Sequence, residues 1–523
     1  MKKTIWIALI MLSAVIVSAA EPKFTQKELA YMPATVQIAL FKAGIITPSD
    51  VLEAQIAQVK KYNGVYNTDR RDLLNELNTF NAGKVNAICF DRFAEARQAA
   101  KAATERYRNG TARRLEGVTV GVKNENAVVG WRVDMGSLVL KDNPVCTEDC
   151  PIIERLKAEG ALLVFSTTIP ELYLSAMTWS RLYGVTRNPW NLAYGVGGSS
   201  GGSGASLAAG FCTLATGSDM GGSIRIPACM NGVYGFKPPL GRVPTSEIAY
   251  ESLGPLTRTF DDLVLMQDIL AGPHPKKHAT LRPKLDYPTE YKSLKGTKIA
   301  VCYFNEWIEG GCDKEVNQVM DRIVMALKKA GAEVKIINSD WGTRHGELMT
   351  FMAGLLSTEM YELIDVLETN PKDLFCCNVT PLLSQTKNLH PRSLMKATKM
   401  GELAHAEVQK YVFEDGCIAL IMPTLATPFV SAAFQADKDN GAVINGKTIY
   451  SNEICLTPVW NLLNRYPVVD MPVMLSSKRV PIGVQIVGNT FDDLAAFRVA
   501  AGLSKVIPQM FTGDRFPDFR EQK

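Results

Sequence analysis

The sequence predicts an α/β fold, a largely parallel sheet with covering helices. Three observations carry that expectation. "PIIERLKAEG" at 151–160 reads as a helix with a glycine stop, and "ALLVFST" at 161–167 follows as a buried strand. The same unit recurs as "DRIVMALKKAG" at 321–331 and "AEVKIIN" at 332–338. In "LEGVTVGVK" at 115–123, Val118, Val120 and Val122 alternate with small or polar residues, and a period of two means strand. Strands alternating with helices favour parallel pairing, because a parallel connection needs a crossover long enough to hold a helix.

In chain order, "MKKTIWIALIMLSAVIVSAAEPKF" has a basic start, an apolar run from Ile5 to Val17 and small residues Ser18 and Ala20 before Glu21. This is the pattern of a cleaved secretory signal over residues 1–20, and the run falls short of the ~20 residues that span a bilayer. The expectation is an exported protein, secreted or periplasmic, with no stable membrane insertion after cleavage. N-terminal helices follow over about 24–110. "SDVLEAQIAQVKKY" spaces its apolar residues at three and four behind Ser49 as cap, and "FAEARQAAKAATERYRNG" closes on Asn109 and Gly110. A core over about 111–270 holds the strand that ends in Lys123. The Pro-rich stretch from Gly272 to Lys295 reads as a long crossover. A C-terminal part over about 296–510 adds strands at "TKIAVCYF", "CIALIMPT" and "VPIGVQIVG". Strand signals on both sides of the crossover favour one domain over 21–523.

Apolar residues make up 46% and charged residues 21%, an ordinary globular balance. The net charge of +4 comes without a dense Lys/Arg stripe, so no nucleic-acid partner is expected. Eleven cysteines leave at least one unpaired. Cys146 and Cys150 in "CTEDC" are close enough for a local disulfide, whereas Cys212, Cys302 and Cys417 fall in apolar runs and read as small buried hydrophobes. No CxxC pair occurs and no histidine lies near Cys146 or Cys150, so a zinc site is not expected.

"GSDMGGSIRIPA" at 217–228 raises a chemical question. Ser223 follows two glycines, and the amides of Met220, Gly221 and Gly222 could converge on one point as an oxyanion hole. A serine needs a base. All five histidines, His274, His278, His345, His390 and His405, lie in the second half of the chain, which disfavours a Ser–His–Asp arrangement. "YGVGGSSGGSGASLAAG" at 194–210 is embedded between strand signals, unlike a linker, and lacks both the P-loop lysine and the dinucleotide glycine spacing. An active-site loop remains. Of the nearby lysines, Lys157 sits on an amphipathic helix, Lys141 in a polar loop, and Lys237 before two prolines, where a surface or structural role is the simpler reading. Lys123 ends an apolar strand; buried there, it could serve as a neutral amine base.

These motifs together resemble the amidase signature hydrolases. "GVTVGVKNENAVVG" resembles the family's lysine strand, "GVGGSSGGSGASLAAG" its Gly/Ser loop, and "GSDMGGSIRIPACMNGVYGFKP" its nucleophile segment, with 223 − 199 = 24 residues between the two serines. Further similarity runs from about Met32 through "MPTLATPF" to "VPIGVQIVGNTFDDLAAFRVAAGL". The resemblance implies an α/β domain whose central, mixed, largely parallel twisted sheet has helices on both faces, and no metal or organic cofactor. It implies a Ser–Ser–Lys triad: Lys123 as base and acid, Ser199 as relay behind a cis Gly198–Ser199 peptide, and Ser223 as nucleophile. Met220, Gly221 and Gly222, with Ser223, would bind the oxyanion, and Asp219 and Arg225 would support the loop.

Three departures bear on substrate choice: Asn124 in place of an aspartate, Asn464-Arg465 before Tyr466-Pro467, and an apparent insertion at 67–84. The implied activity is hydrolysis of a carboxamide or N-acyl amide in a small-molecule or peptide substrate. The alternatives are a glutamine-hydrolysing amidotransferase component of the A type and an inactive binding protein on the same scaffold. Tyr173, Met177 and Trp179 in "ELYLSAMTW" would suit an acyl pocket, although aromatics at that spacing are more often core. The sequence leaves a homodimer open.

Overall fold

The structure, a computed structural model, describes residues 24–245, 249–304, 311–338, 361–380, 391–432, 442–449 and 454–521. The expected signal at 1–20 lies outside the described residues. Eleven strands form one sheet: β1 Ile88–Asp91, β2 Thr119–Lys123, β3 Leu162–Thr167, β4 Leu214–Asp219, β5 Tyr234–Lys237, β6 Ser252–Thr257, β7 Lys298–Val301, β8 Glu333–Ile336, β9 Cys417–Pro423, β10 Val468–Leu475 and β11 Pro481–Gly488. Their spatial order is β1-β3-β2-β4-β6-β5-β10-β11-β9-β7-β8. The sheet is mixed. β2 pairs in parallel with β3 and β4, and β7 with β8 and β9. The ladders between these two blocks are antiparallel, as is the β1 edge. Strands from before and after the 272–295 crossover therefore share one sheet.

Eight helices frame the argument: α1 Pro48–Tyr62, α2 Phe93–Arg108, α3 Pro151–Ala158, α4 Gly201–Ala208, α5 Arg225–Asn231, α6 Phe260–Leu270, α7 Lys314–Lys329 and α8 Asp493–Ser504. The parallel ladders arise at the two helix–glycine–strand units, with α3 crossing from β2 to β3 and α7 from β7 to β8. The cap of α1 is Thr47 rather than Ser49. Thr47 Oγ1 accepts from the Asp50 N–H and the Asp50 carboxylate accepts from the Thr47 N–H, with Pro48 at the first helical position, where no N–H is needed.

Alternation along the strands decides which helix covers which face. Val120 and Val122 pack with Ile152, Ile153 and Leu156 of α3 and with Met266 and Leu270 of α6. Leu162 and Val164 of β3 face α1 and α2 through Leu52, Ile56, Phe93 and Ala96. Each such aliphatic side chain contributes about 1.5–3 kcal/mol by leaving water. Helices thus lie on both faces, and the period of two turns Lys123 away from Val120 and Val122.

All eleven cysteines are free thiols. The local Cys146–Cys150 disulfide is not formed, because the backbone holds the two on different elements. Cys146 pairs its N–H with the Trp131 carbonyl, while Cys150 caps α3 and donates to Ala127. Cys212, Cys302 and Cys417 are buried as expected. Among the described residues no helix is long and apolar enough to cross a membrane.

Candidate active site

β2 delivers Lys123 to the end of the sheet with its side chain fully buried. A buried amine needs partners, since burying it unpaired costs several kcal/mol. Nζ donates to Ser199 Oγ at 2.9 Å and to Ser218 Oγ at 2.7 Å, and lies 3.1 Å from Glu125 Oε2. The backbone is pinned as well: the Lys123 N–H donates to Thr216 Oγ1 at 2.9 Å, and that hydroxyl donates to Asn126 Oδ1 at 2.8 Å. Asn124, the departure beside the lysine, donates to Ser166 Oγ and accepts from the Asp134 and Met135 amides.

Ser199 lies in the loop before α4, and the Gly198–Ser199 peptide is cis. Gly198 is required by a close approach: a Cβ there would stand 2.6 Å from the Ser175 carbonyl oxygen. The 171–179 segment therefore presses directly on the Ser199 loop. Its Met177 and Trp179 are buried in the main core, while Tyr173 is partly exposed.

Ser223 sits in the turn between β4 and α5, half-buried. Asp219 organises this turn. Its carboxylate accepts from the Gly222 N–H at 2.8 Å, the Ile224 N–H at 3.2 Å and Asn461 Nδ2 at 2.9 Å. Arg225 donates to both of its oxygens, at 2.8 and 2.9 Å, and also reaches the Thr457 carbonyl, Gln485 and Asn461. Burial pushes the Asp219 carboxyl up, but the charge and hydrogen bonds of Arg225, with help from Asn461 and Lys237, outweigh it and hold it well below the usual range. Thr457 Oγ1 donates to the Gly221 carbonyl at 2.6 Å and fixes that peptide.

One expectation changes here. The Gly222 N–H is turned onto Asp219, the strongest acceptor in reach, and so is already engaged. Gly222 has φ +123°, and a Cβ would fall 2.1 Å from Thr457 Oγ1. By contrast, the amides of Met220, Gly221 and Ser223 have no acceptor among the described residues. A Cβ on Gly221 would meet nothing within 4 Å, so this edge of the loop is open.

The structure brings Lys123 and Ser199 into direct contact and joins Ser223 to them through the backbone, its carbonyl accepting from the Ser200 N–H at 3.2 Å. Ser223 Oγ has no hydrogen-bond partner among the described residues. Sequence reasoning missed Ser218, Glu125, Thr457 and Asn461. A signal existed for Ser218: Thr216 and Ser218 alternate on β4, which neighbours the lysine strand. Lys237, read as a surface or structural residue, is fully buried at the end of β5. Its Nζ donates to Asn464 Oδ1 at 2.8 Å, and burial with the Arg225 charge lowers it to about 7 against the pull of Asp219. Among the described residues no group of three or more His, Cys, Asp or Glu side chains could hold a metal ion.

Comparison with known proteins places the chain in a family. A family profile described as Amidase matches residues 72–496. The A component of the glutamyl-tRNA(Gln) amidotransferase of Desulforapulum autotrophicum is 30% identical over 469 residues, covering 83% of this chain and 93% of the relative. An acylamidase of Rhodococcus erythropolis is 28% identical over 501 residues, covering 92% and 97%. A crystal structure of a bacterial aryl acylamidase of the amidase signature family superposes with a TM-score of 0.80 at 24% identity, covering 91% of this chain and 96% of that one. The peptide amidase of Stenotrophomonas maltophilia gives 0.73 at 20% identity, covering 94% and 99%. The profile match over most of the chain settles the assignment, and the protein belongs to the amidase family of amide-hydrolysing enzymes.

Proposed function

We propose that this protein is an exported amide hydrolase working through a Ser–Ser–Lys relay. The observation that carries the reading is the buried Lys123 amine 2.9 Å from Ser199 Oγ, with the Ser223 carbonyl accepting from the N–H of the next residue, Ser200. As a neutral amine Lys123 takes the Ser199 proton while Ser199 takes that of Ser223, and Ser223 Oγ attacks the substrate carbonyl. The amides of Met220, Gly221 and Ser223 receive the oxyanion, each such donor contributing about 2.7–4 kcal/mol. When the C–N bond breaks, the relayed proton leaves with the amine. Water then hydrolyses the Ser223 ester by the same relay run for water.

The mature chain and its Ser223→Ala variant, offered C-terminal peptide amides, long-chain acyl amides and aryl amides, test this. The expected result is turnover of one class by wild type, a loss on the order of 10⁴-fold or more in the variant, and an acyl adduct on Ser223 by mass spectrometry. Full activity in the variant would sink the mechanism. Export is tested by N-terminal sequencing of the protein outside the cytoplasm, which should begin near Glu21. The amidotransferase relatives support a second reading, the glutamine-hydrolysing component of such a complex. Glutamine added to the panel decides it, since this reading requires glutamine turnover that rises with a partner complex.

A further inference from the structure

The relay leaves one charged side chain at its base unexplained. Glu125 stands two residues past Lys123, in the turn after β2, with its side chain only 9% exposed. Oε2 is 3.1 Å from Lys123 Nζ. Oε1 is buried and has no hydrogen-bond partner among the described residues. A carboxylate this far from water costs several kcal/mol unless a charge compensates it. Lys123 supplies that charge. In return Nζ, which donates to Ser199 Oγ and Ser218 Oγ, gains a carboxylate oxygen 3.1 Å away as an ion-pair partner.

The other charged groups on neighbouring elements are committed elsewhere. Asp149, before α3, pairs with Lys157 at 2.7 Å, and Asp219 at the end of β4 pairs with Arg225 at 2.8 Å. The Cys150 thiol at the head of α3 is pushed up to about 11, chiefly by burial, with the Asp149 and Glu125 charges adding, and so stays neutral. No second cation stands beside Glu125 among the described residues.

We propose that Glu125 is a positioning residue for the base: its carboxylate, 3.1 Å from Lys123 Nζ, pairs with that amine beside Ser199, so that removing the carboxylate changes the pH dependence of the relay. The inference rests on the Ser–Ser–Lys reading. Whenever the amine carries a third proton, one N–H bond must break and the proton leave to water as hydronium before the nitrogen's lone pair can take the Ser199 proton. An oxygen without a partner costs stability, and its place next to the base ties that cost to catalysis.

A tagged fluorophosphonate tests this without knowledge of the substrate, because Ser223 Oγ must be activated to displace its fluoride. Labelling rates are measured from pH 5 to 10 for wild type, Glu125→Gln, Glu125→Asp and Ser223→Ala. The expected result is labelling at Ser223 with an acid limb that moves down by about 1–2 pH units in Glu125→Gln, the shift that loss of an adjacent opposite charge produces. One unit below the wild-type limb, the Gln variant should label about tenfold faster. Glu125→Asp keeps the charge, and its limb should stay closer to wild type than that of Glu125→Gln. Glu125→Ala, which removes the charge without adding a polar group, must move the limb the same way and serves if Glu125→Gln does not fold. An unmoved or raised limb, with labelling still confined to Ser223, overturns this inference alone. Wild type unlabelled at Ser223, or Ser223→Ala labelled equally, overturns the triad reading and this inference with it.

Discussion

Replacing Arg225 by methionine should destabilise the protein by about 3–4 kcal/mol at pH 7, the lower part of the cost of breaking a buried ion pair. The pair is fully buried on both sides, and the substitution removes five side-chain hydrogen bonds, to Asp219 (two), Thr457, Gln485 and Asn461. Summing those bonds would overshoot, because Asp219 can protonate, and that sets a ceiling. From its ordinary value of 3.8, protonation at pH 7 costs 3.2 units, about 4.4 kcal/mol, and at pH 5 it costs 1.2 units, about 1.6 kcal/mol. The sign follows from linkage. In wild type the carboxyl is held below 3.8, so its contribution is complete throughout pH 5–7 and is lost only as pH falls further. In the variant burial acts without Arg225 and the folded carboxyl rises above 3.8. The folded state then binds a proton that the unfolded chain lacks, and the penalty grows with pH. Urea unfolding followed by tryptophan fluorescence at pH 7 and pH 5 reads both effects, and the deficit should shrink by about 2.7 kcal/mol between them. Adding Asp219→Asn should recover part of the loss. A deficit below about 1 kcal/mol at pH 7, or one equal at both pH values, would refute the reasoning.

Three further outcomes follow from the same geometry. Gly222→Ala should cost upwards of about 2 kcal/mol and most of the activity, because its Cβ would fall 2.1 Å from Thr457 Oγ1 at φ +123°. Gly221→Ala should fold with a loss below about 1 kcal/mol, and thermal melts that rank the two alike would contradict this account. Lys237 is lowered to about 7 from 10.5, so the unfolded chain keeps a proton that the folded state releases between those values. Stability should therefore rise from pH 7 toward 10 in wild type and lose that slope in Lys237→Met, and parallel profiles would count against it. Native protein treated with iodoacetamide should be alkylated at Cys146 ahead of Cys150, whose thiol burial raises to about 11, and protection of both would reveal the disulfide that the structure lacks.

Much of the site was legible because its signals are local. The period of two that places Val120 and Val122 against α3 also turns Lys123 the other way, and the glycines of 194–210 flagged a loop pressed by backbone. The parallel ladders were legible from their helix–glycine–strand units. The antiparallel centre was not, since β10 joins β5 from more than two hundred residues downstream, a contact that leaves no periodic trace. The Asp219 clamp was legible only in half. Arg225 lies six residues away in the same motif, but Thr457 and Asn461 come from more than two hundred residues downstream.

Lys123 and Lys237 show where sequence reasoning stops. Both end apolar strands and both are fully buried, so the rule that singled out one applies equally to the other. Their surroundings separate them. Lys123 meets two hydroxyls and a carboxylate, groups that can pass or balance a proton. Lys237 meets the Asn464 side-chain oxygen and the Pro238 carbonyl, acceptors that do neither. Asn464 also accepts from Ser252 Oγ and donates to the Ala249 and Glu251 carbonyls. The Asn464-Arg465 departure thus supplies a partner for the buried Lys237 amine, and it belongs to the scaffold. Glu125 reaches Lys123 itself, the base of the proposed relay, so a change there should be read in the pH dependence of the chemistry, whereas a change at Asn464 should be read in stability.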